Sequence, residues 1–395
     1  MRPMRRSDDG DDAVVKIDGL AIAELARGPT PNPEQIDDFV ESHAFPIVEG
    51  RYCTFVFRGD VHAVSLRHWI RGLPTAVPFH RVHGTDVWYH VLELPEKSRI
   101  EYKFEVTVGG DTRWIQDPLN PHVARDPYGA NSVCHSAGHE RPTWVLEAPD
   151  TPRGSIEERV IYSKALKGQR RVSIYRPARF RETRRYPLLI VHDGRDFQRY
   201  ADITTVLDNL IHRLDIGGMV VALTDPVERT DQYRDNPAHA EYIAEELVPT
   251  LEEHVPLLGT PAGRGLMGAS LGAVASLSTA IRYPDMFGQL LLQSGSFAFS
   301  DIGSHDRGPL FDPIAQMVNR YRDDPTRVAD RVFVSCGQYE SLIYENRSLV
   351  PVLQSTGMDV HYVEARDGHN WENWRDRLRE GLAFLFPGPL WWVYR

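Results

Sequence analysis

Cysteine is scarce in this 395-residue chain: Cys53, Cys134 and Cys336 are too few and too scattered for a disulfide framework or a structural zinc site. They read as small core residues. No apolar run approaches the roughly 18 residues that cross a bilayer, so no membrane partner is expected. An excess of positive charge is also missing. Lys and Arg total 45 against 55 Asp and Glu, a net charge of −10, and nothing global recommends nucleic acid as a partner. Residues 1–6 are basic, but 7–12 are polar and acidic where an export signal is apolar, which points to a cytoplasmic protein. The 16 histidines lack the His-Glu-x-x-His spacing that sets two ligands on one helical face, so neither a metal nor a cofactor is expected. What is present is ordinary for a soluble globular protein, with 42% hydrophobic and 25% charged residues, and the length suits more than one domain.

Residues 1–45 read as a polar tail followed by a helix. Asn32 can cap that helix, Pro33 suits its first position and Gln35 can return the capping-box bond, with Ile36, Phe39 and Val40 as the apolar stripe. From Tyr52 the period becomes strand-like, over 52–58, 61–70, 87–94 and 100–108, with Gly-rich turns between. A small antiparallel β-sandwich is therefore expected over 46–140, its last part a turn-rich edge at 117–121 and 126–129. Residues 141–157 read as a linker. From 158 to 395, short apolar strands at 171–175, 188–192, 219–223, 266–269, 289–293, 332–336 and 360–365 alternate with helices at 203–214, 239–254, 273–283, 313–322, 342–355 and 371–385. This alternation predicts an α/β fold with a mostly parallel sheet covered by helices on both faces. Ligands of such sheets bind beyond the carboxyl ends of the strands. The aromatic run Leu390-Trp391-Trp392-Val393-Tyr394 reads as either a core segment or an association surface.

Gly268-Ala269-Ser270-Leu271-Gly272 is a G-x-S-x-G sequence between an apolar strand and an Ala-rich helix. A nucleophile elbow forces its serine into a strained turn that tolerates only small neighbours, and here strand, turn and helix are all present. The alternative is a glycine-rich turn with an idle serine. The helix start beneath Ser270 favours a developing oxyanion, with the Leu271 N–H as one donor. Serine needs a base, and the chain order in α/β-hydrolases is Ser, acid, His. His369 follows the last strand and precedes the last helix. The acid belongs after the preceding strand, where Glu340 stands; Asp367 and Glu345 are its rivals. The second oxyanion donor belongs in loop 191–195, as the N–H of Gly194 or Arg195, with Gly194 letting the backbone approach substrate. His192 and Asp193 read as turn residues, Asp193 also as a candidate substrate contact.

Read together, these residues resemble the enterochelin (enterobactin) esterase family and its esterase D-like relatives, which include feruloyl esterases. The resemblance lies in 186–194, in Asn236-Pro237 followed by Glu246-Leu247-Val248-Pro249, in the elbow, in 337–343 and in Gly368-His369-Asn370-Trp371. The front half resembles the early-set immunoglobulin-like domain attached to such esterases, through 55–60, 84–88 and 117–121, and that domain is expected to shape the active-site entrance. Trp69, Trp88 and Trp114 could form a glycan platform, but core packing is the expected use of each. The resemblance implies a serine esterase that opens the trilactone of a catecholate siderophore so that iron is recovered, its partner a small-molecule ester such as a ferric siderophore. Arg229 matches the basic residue of the family's Arg-x-x-Glu-Leu stretch and would meet an anionic substrate, whereas Gln232 and Tyr233 depart from it. A feruloyl or acetyl esterase and a non-catalytic binding protein are the competing readings.

Overall fold

The computed structural model describes residues 17–300 and 307–389. The tail before residue 15 and the aromatic run after 389 lie outside them. Residues up to Ala124 with Ala130–His139 form one compact unit, and Arg125–Gly129 with the chain from Glu140 onward form another.

In the first unit the helix Pro33–Ser42 opens with a complete capping box between Asn32 and Gln35, each side chain accepting the other's backbone N–H at 2.9 Å. Two antiparallel sheets follow. One orders Ile47–Glu49, Tyr52–Arg58, Val87–Glu93 and His80–Arg81; the other runs Ala76–Pro78, Ala63–His68, Arg99–Val108, Gly129–His135 and Val123–Asp126, with Asp111–Ile115 beside Arg99–Val108. Their inner faces meet edge to face, with Phe55 on Tyr102 at 4.8 Å and Phe57 on Phe104 at 6.1 Å between ring centres. The stretch read as a turn-rich edge holds a turn in each expected place, at 117–121 and 126–129, on either side of the strand Val123–Asp126. The first of these turns is anchored by buried polar groups: Tyr102 donates to Asp117 at 2.6 Å, and Asn120 donates to Tyr102 at 2.9 Å and to the Val133 carbonyl at 2.8 Å. Burial pushes the Asp117 carboxyl up to about 6, although hydrogen bonds from Tyr102 and from the Leu119 and Asn120 amides pull it down. Trp88 is buried, but Trp69 and Trp114 are half exposed, which corrects the core reading for both. Trp114 instead donates to Glu105 and stacks under Arg67.

The second unit is built on an eight-stranded sheet: β1 (Ser155–Ser163), β2 (Gly168–Arg176), β3 (Leu188–His192), β4 (Val220–Thr224), β5 (Arg264–Ala269), β6 (Gln289–Gln293), β7 (Arg331–Gly337) and β8 (Asp359–Ala365), in the order β1-β2-β4-β3-β5-β6-β7-β8. Strands β3 to β8 are mutually parallel, while β2 pairs antiparallel with both β4 and β1, so the sheet is mixed at one edge. Strand β1 begins at Ser155, so the last residues of the expected linker belong to the sheet. Side chains of successive strand residues enter opposite layers. Leu188, Ile190, Leu290 and Leu292 pack on one side, Leu189, Val191 and Leu291 on the other. Helices Leu271–Arg282, Asp312–Asp323 and Ile343–Ser355 cover the first layer, and Ile203–His212 and Trp371–Leu385 the second. That two-sided burial explains the continuous apolar runs. Among the described residues no helix is long and apolar enough to cross a membrane.

Candidate active site

Strand β5 ends at Ala269, and the next residue, Ser270, sits at φ 58° and ψ −120° before the helix Leu271–Arg282 begins. This region is open to glycine and strained for serine. Gly268 is required by space: a Cβ there would lie 2.2 Å from the Gly272 carbonyl carbon and oxygen. The Ser270 N–H donates to the Gln293 carbonyl at 2.9 Å, which ties the elbow to the end of β6. Leu271 opens the helix, where its N–H lies outside the intrahelical ladder.

His369 and Glu340 stand on the loops after β8 and β7. The His369 Nδ1–H donates to Glu340 Oε2 at 2.5 Å. Glu340 Oε1 accepts the Ser294 hydroxyl and the Gly337 N–H, each at 2.6 Å. Burial alone would raise the Glu340 carboxyl, but these donors, His369 foremost, outweigh it and hold it below the ordinary glutamate value. A Cβ at Gly337 would meet the Asp367 carbonyl at 2.4 Å, so glycine there lets the two loops lie side by side. The rivals have other partners. Asp367 accepts from the Gly368 amide and Asn370 side chain, each at 2.7 Å, and Glu345 pairs with Arg307 at 2.6 Å. The His369 ring stands edge-on against Trp374, 5.0 Å between centres.

The Ser270 hydroxyl is in hydrogen-bonding contact with the Ser296 hydroxyl at 3.3 Å, and among the described residues no hydrogen bond joins it to His369. Because β5, β6, β7 and β8 are parallel neighbours, the loops carrying Ser270, Ser294, Glu340 and His369 all leave the same edge of the sheet. Such contacts are often loose without substrate and tighten with it.

The loop after β3 differs from its sequence reading. The Arg195 N–H is taken by Asp225 Oδ1 at 2.9 Å, so of the two expected donors only the Gly194 N–H has no acceptor among the described residues. Packing by itself requires glycine at 194: a Cβ would lie 2.5 Å from the Leu223 Cβ on β4. Arg229 and Asp193, read separately as substrate contacts, hold each other through two hydrogen bonds of 2.8 and 2.7 Å, with Asp193 buried and Arg229 partly exposed. Of the two residues that depart from the family stretch, Tyr233 serves this same loop and Gln232 serves the loop after β4. Tyr233 OH accepts the Asp193 N–H at 3.1 Å, and Gln232 accepts the Val227 N–H at 3.3 Å.

Sequence reasoning missed a buried histidine pair behind the elbow. His192 Nδ1 faces the Met267 carbonyl at 3.1 Å and must donate to it, so its Nε2 accepts from His239 Nε2, also at 3.1 Å. Burial pushes His192 down to about 4 and His239 well below its ordinary value, so both are neutral near pH 7. Asn236 caps the helix that presents His239; this was the available signal, an Asn-Pro start two residues before a histidine.

Residues 163–385 match the family described as putative esterase. An iron(III) enterobactin esterase of Escherichia coli O6:H1 is 25% identical over 78% of this chain and 81% of its own length, and one of Dickeya dadantii is 26% identical over 93% and 96%. Among solved structures, the enterobactin esterase of Shigella flexneri in the presence of enterobactin superposes with a TM-score of 0.72 at 22% identity, covering 88% of this chain and 97% of that one. That last likeness establishes a shared fold.

Proposed function

The chain belongs to the putative esterase family and is a carboxylic ester hydrolase, and on that premise we propose that it opens the ester bonds of a catecholate siderophore through an acyl-enzyme on Ser270. His369 takes the Ser270 proton as the hydroxyl attacks the ester carbonyl, while Glu340 holds the imidazole with its proton on Nδ1 and its Nε2 free to accept. The N–H groups of Leu271 and Gly194 stabilise the tetrahedral oxyanion. His369 then protonates the leaving alkoxide, and water, activated by the same imidazole, releases the acid. Repeated on a trilactone, this yields dihydroxybenzoyl-serine units and frees the iron. The Asp193–Arg229 pair fixes the loop that carries Gly194.

The observation that carries the mechanism is the 2.5 Å hydrogen bond between His369 and Glu340, on the sheet edge where the strained Ser270 also sits. The activity named for the relatives from Escherichia coli and Dickeya dadantii supports the substrate. The test is hydrolysis of enterobactin, with and without ferric iron, against simple aryl esters, followed by mass spectrometry of the products. Stepwise cleavage to monomers is expected, and Ser270→Ala should lower kcat/KM by about 10⁴-fold or more while the fold survives. Aryl-ester turnover without trilactone cleavage would remove the siderophore assignment; full activity of a folded Ser270→Ala protein would remove the mechanism.

A further inference from the structure

The turn after β6, Gln293-Ser294-Gly295-Ser296, touches both ends of the proposed catalytic group. Ser294 adopts φ 46°, in the left-handed region that serine seldom occupies. Its hydroxyl donates to Glu340 Oε1 at 2.6 Å and accepts the Trp374 Nε1–H at 3.0 Å, with the residue fully buried. Two residues on, the buried Ser296 places its hydroxyl 3.3 Å from that of Ser270 and donates its N–H to the Ser270 carbonyl at 3.2 Å. Asn346 clamps the residue between them, accepting the Gly295 N–H at 3.1 Å and donating to its carbonyl at 2.9 Å. A side chain at Gly295 would run into the Phe297 ring.

A buried left-handed turn clamped on both backbone polar groups is more elaborate than a strand needs merely to end. Building on the mechanism above, we propose that Ser294 is a positioning residue that sets the orientation and charge of Glu340, and that Ser296 fixes the Ser270 hydroxyl. The hydroxyl of Ser294 draws charge from the carboxylate and so limits how strongly Glu340 favours protonated His369. Without it the carboxylate becomes the stronger base, and His369 holds its proton to higher pH. The neighbouring Cys336 and Glu364 do not change charge over the same range. The Cys336 thiol, raised by burial and then by Glu340, stays neutral; Glu364 is held ionised by Arg347; Asp367 is bonded within its own loop.

The test is the pH dependence of kcat/KM on an aryl ester for the full chain, wild type against Ser294→Ala, Ser294→Cys and Ser296→Ala. Ser294→Ala should lower kcat about tenfold with KM within about twofold, the loss of one hydrogen bond to a charged group. Its acid limb should move to higher pH by roughly half a unit or more. Ser294→Cys, which keeps the volume and a weak donor, should fall between and serves if the alanine variant does not fold. Ser296→Ala should slow fluorophosphonate labelling of Ser270 while leaving the acid limb where it is. An unmoved acid limb in both folded Ser294 variants, or unchanged labelling in Ser296→Ala, overturns the corresponding assignment. Wild-type labelling that depends on Ser270 separates either failure from a failure of the mechanism itself.

Discussion

The Oε2 atom of Glu340 lies 2.5 Å from Nδ1 of His369, while its other oxygen accepts two donors, Ser294 and Gly337. That division of labour determines what Glu340→Gln does. An amide has one oxygen, and two donors require it on the Oε1 side, so the NH₂ group faces His369 and turns the imidazole to the tautomer that cannot accept a proton from serine. kcat should fall by about 10⁴-fold with little change in the fold, as read by steady-state kinetics and circular dichroism. A loss below about tenfold would assign the role to another acid.

The two elbow glycines should respond differently. In Gly268→Ala the new methyl meets backbone at 2.2 Å, so the turn must open; a loss of about 3 kcal/mol or more and no measurable turnover are expected. In Gly272→Ala the nearest neighbours are the His192 Cβ at 3.2 Å and Asp193 Oδ2 at 3.3 Å, and small shifts accommodate the methyl. Urea unfolding of both variants checks the ranking.

Arg229 should behave as a structural partner. Arg229→Ala leaves the Asp193 carboxylate buried with its bidentate partner gone, and about 2–4 kcal/mol of stability should go with it. A substrate contact alone would raise KM and leave the thermal midpoint in place. The double variant with Asp193→Asn should lose less than the sum of the singles.

Asp117 makes one contribution to pH-dependent stability with a definite sign. Its folded-state value of about 6 lies above the ordinary 3.8, so the folded chain binds the proton more tightly. The favourable contribution is complete below the unfolded value and is lost as pH rises through about 6, up to about 3 kcal/mol in all. Unfolding free energies of wild type and Asp117→Asn across this interval should differ by an amount that changes with pH. A constant difference would refute the shift.

Much of this was legible in the sequence because it depends on local chemistry. Asn32 and Gln35 announce a capping box at fixed spacing, and Ser270, Glu340 and His369 each follow an apolar strand whose end can be read. Distant partners could not be read in the same way. Nothing near Arg195 tells that Asp225, thirty residues on, takes its amide, nor that Arg229 and Asp193 neutralise each other. Strand β1 was hidden because its charged residues, Glu157, Glu158 and Arg159, interrupt the apolar pattern at an edge that faces solvent. Trp69 and Trp114 were misread for a related reason: a tryptophan's size argues for burial, whereas a hydrogen bond to Glu105 and an arginine overhead suit Trp114 to the surface.

The backbone at Ser270 carries a last consequence. A glycine would relax its φ of 58°, and strain of this kind amounts to about 1–3 kcal/mol. The inert protein would then outlast the working one on heating. Any laboratory evolution that rewards only durability would tend to erase the proposed nucleophile, so a screen for robust variants of this enzyme has to demand turnover in every round.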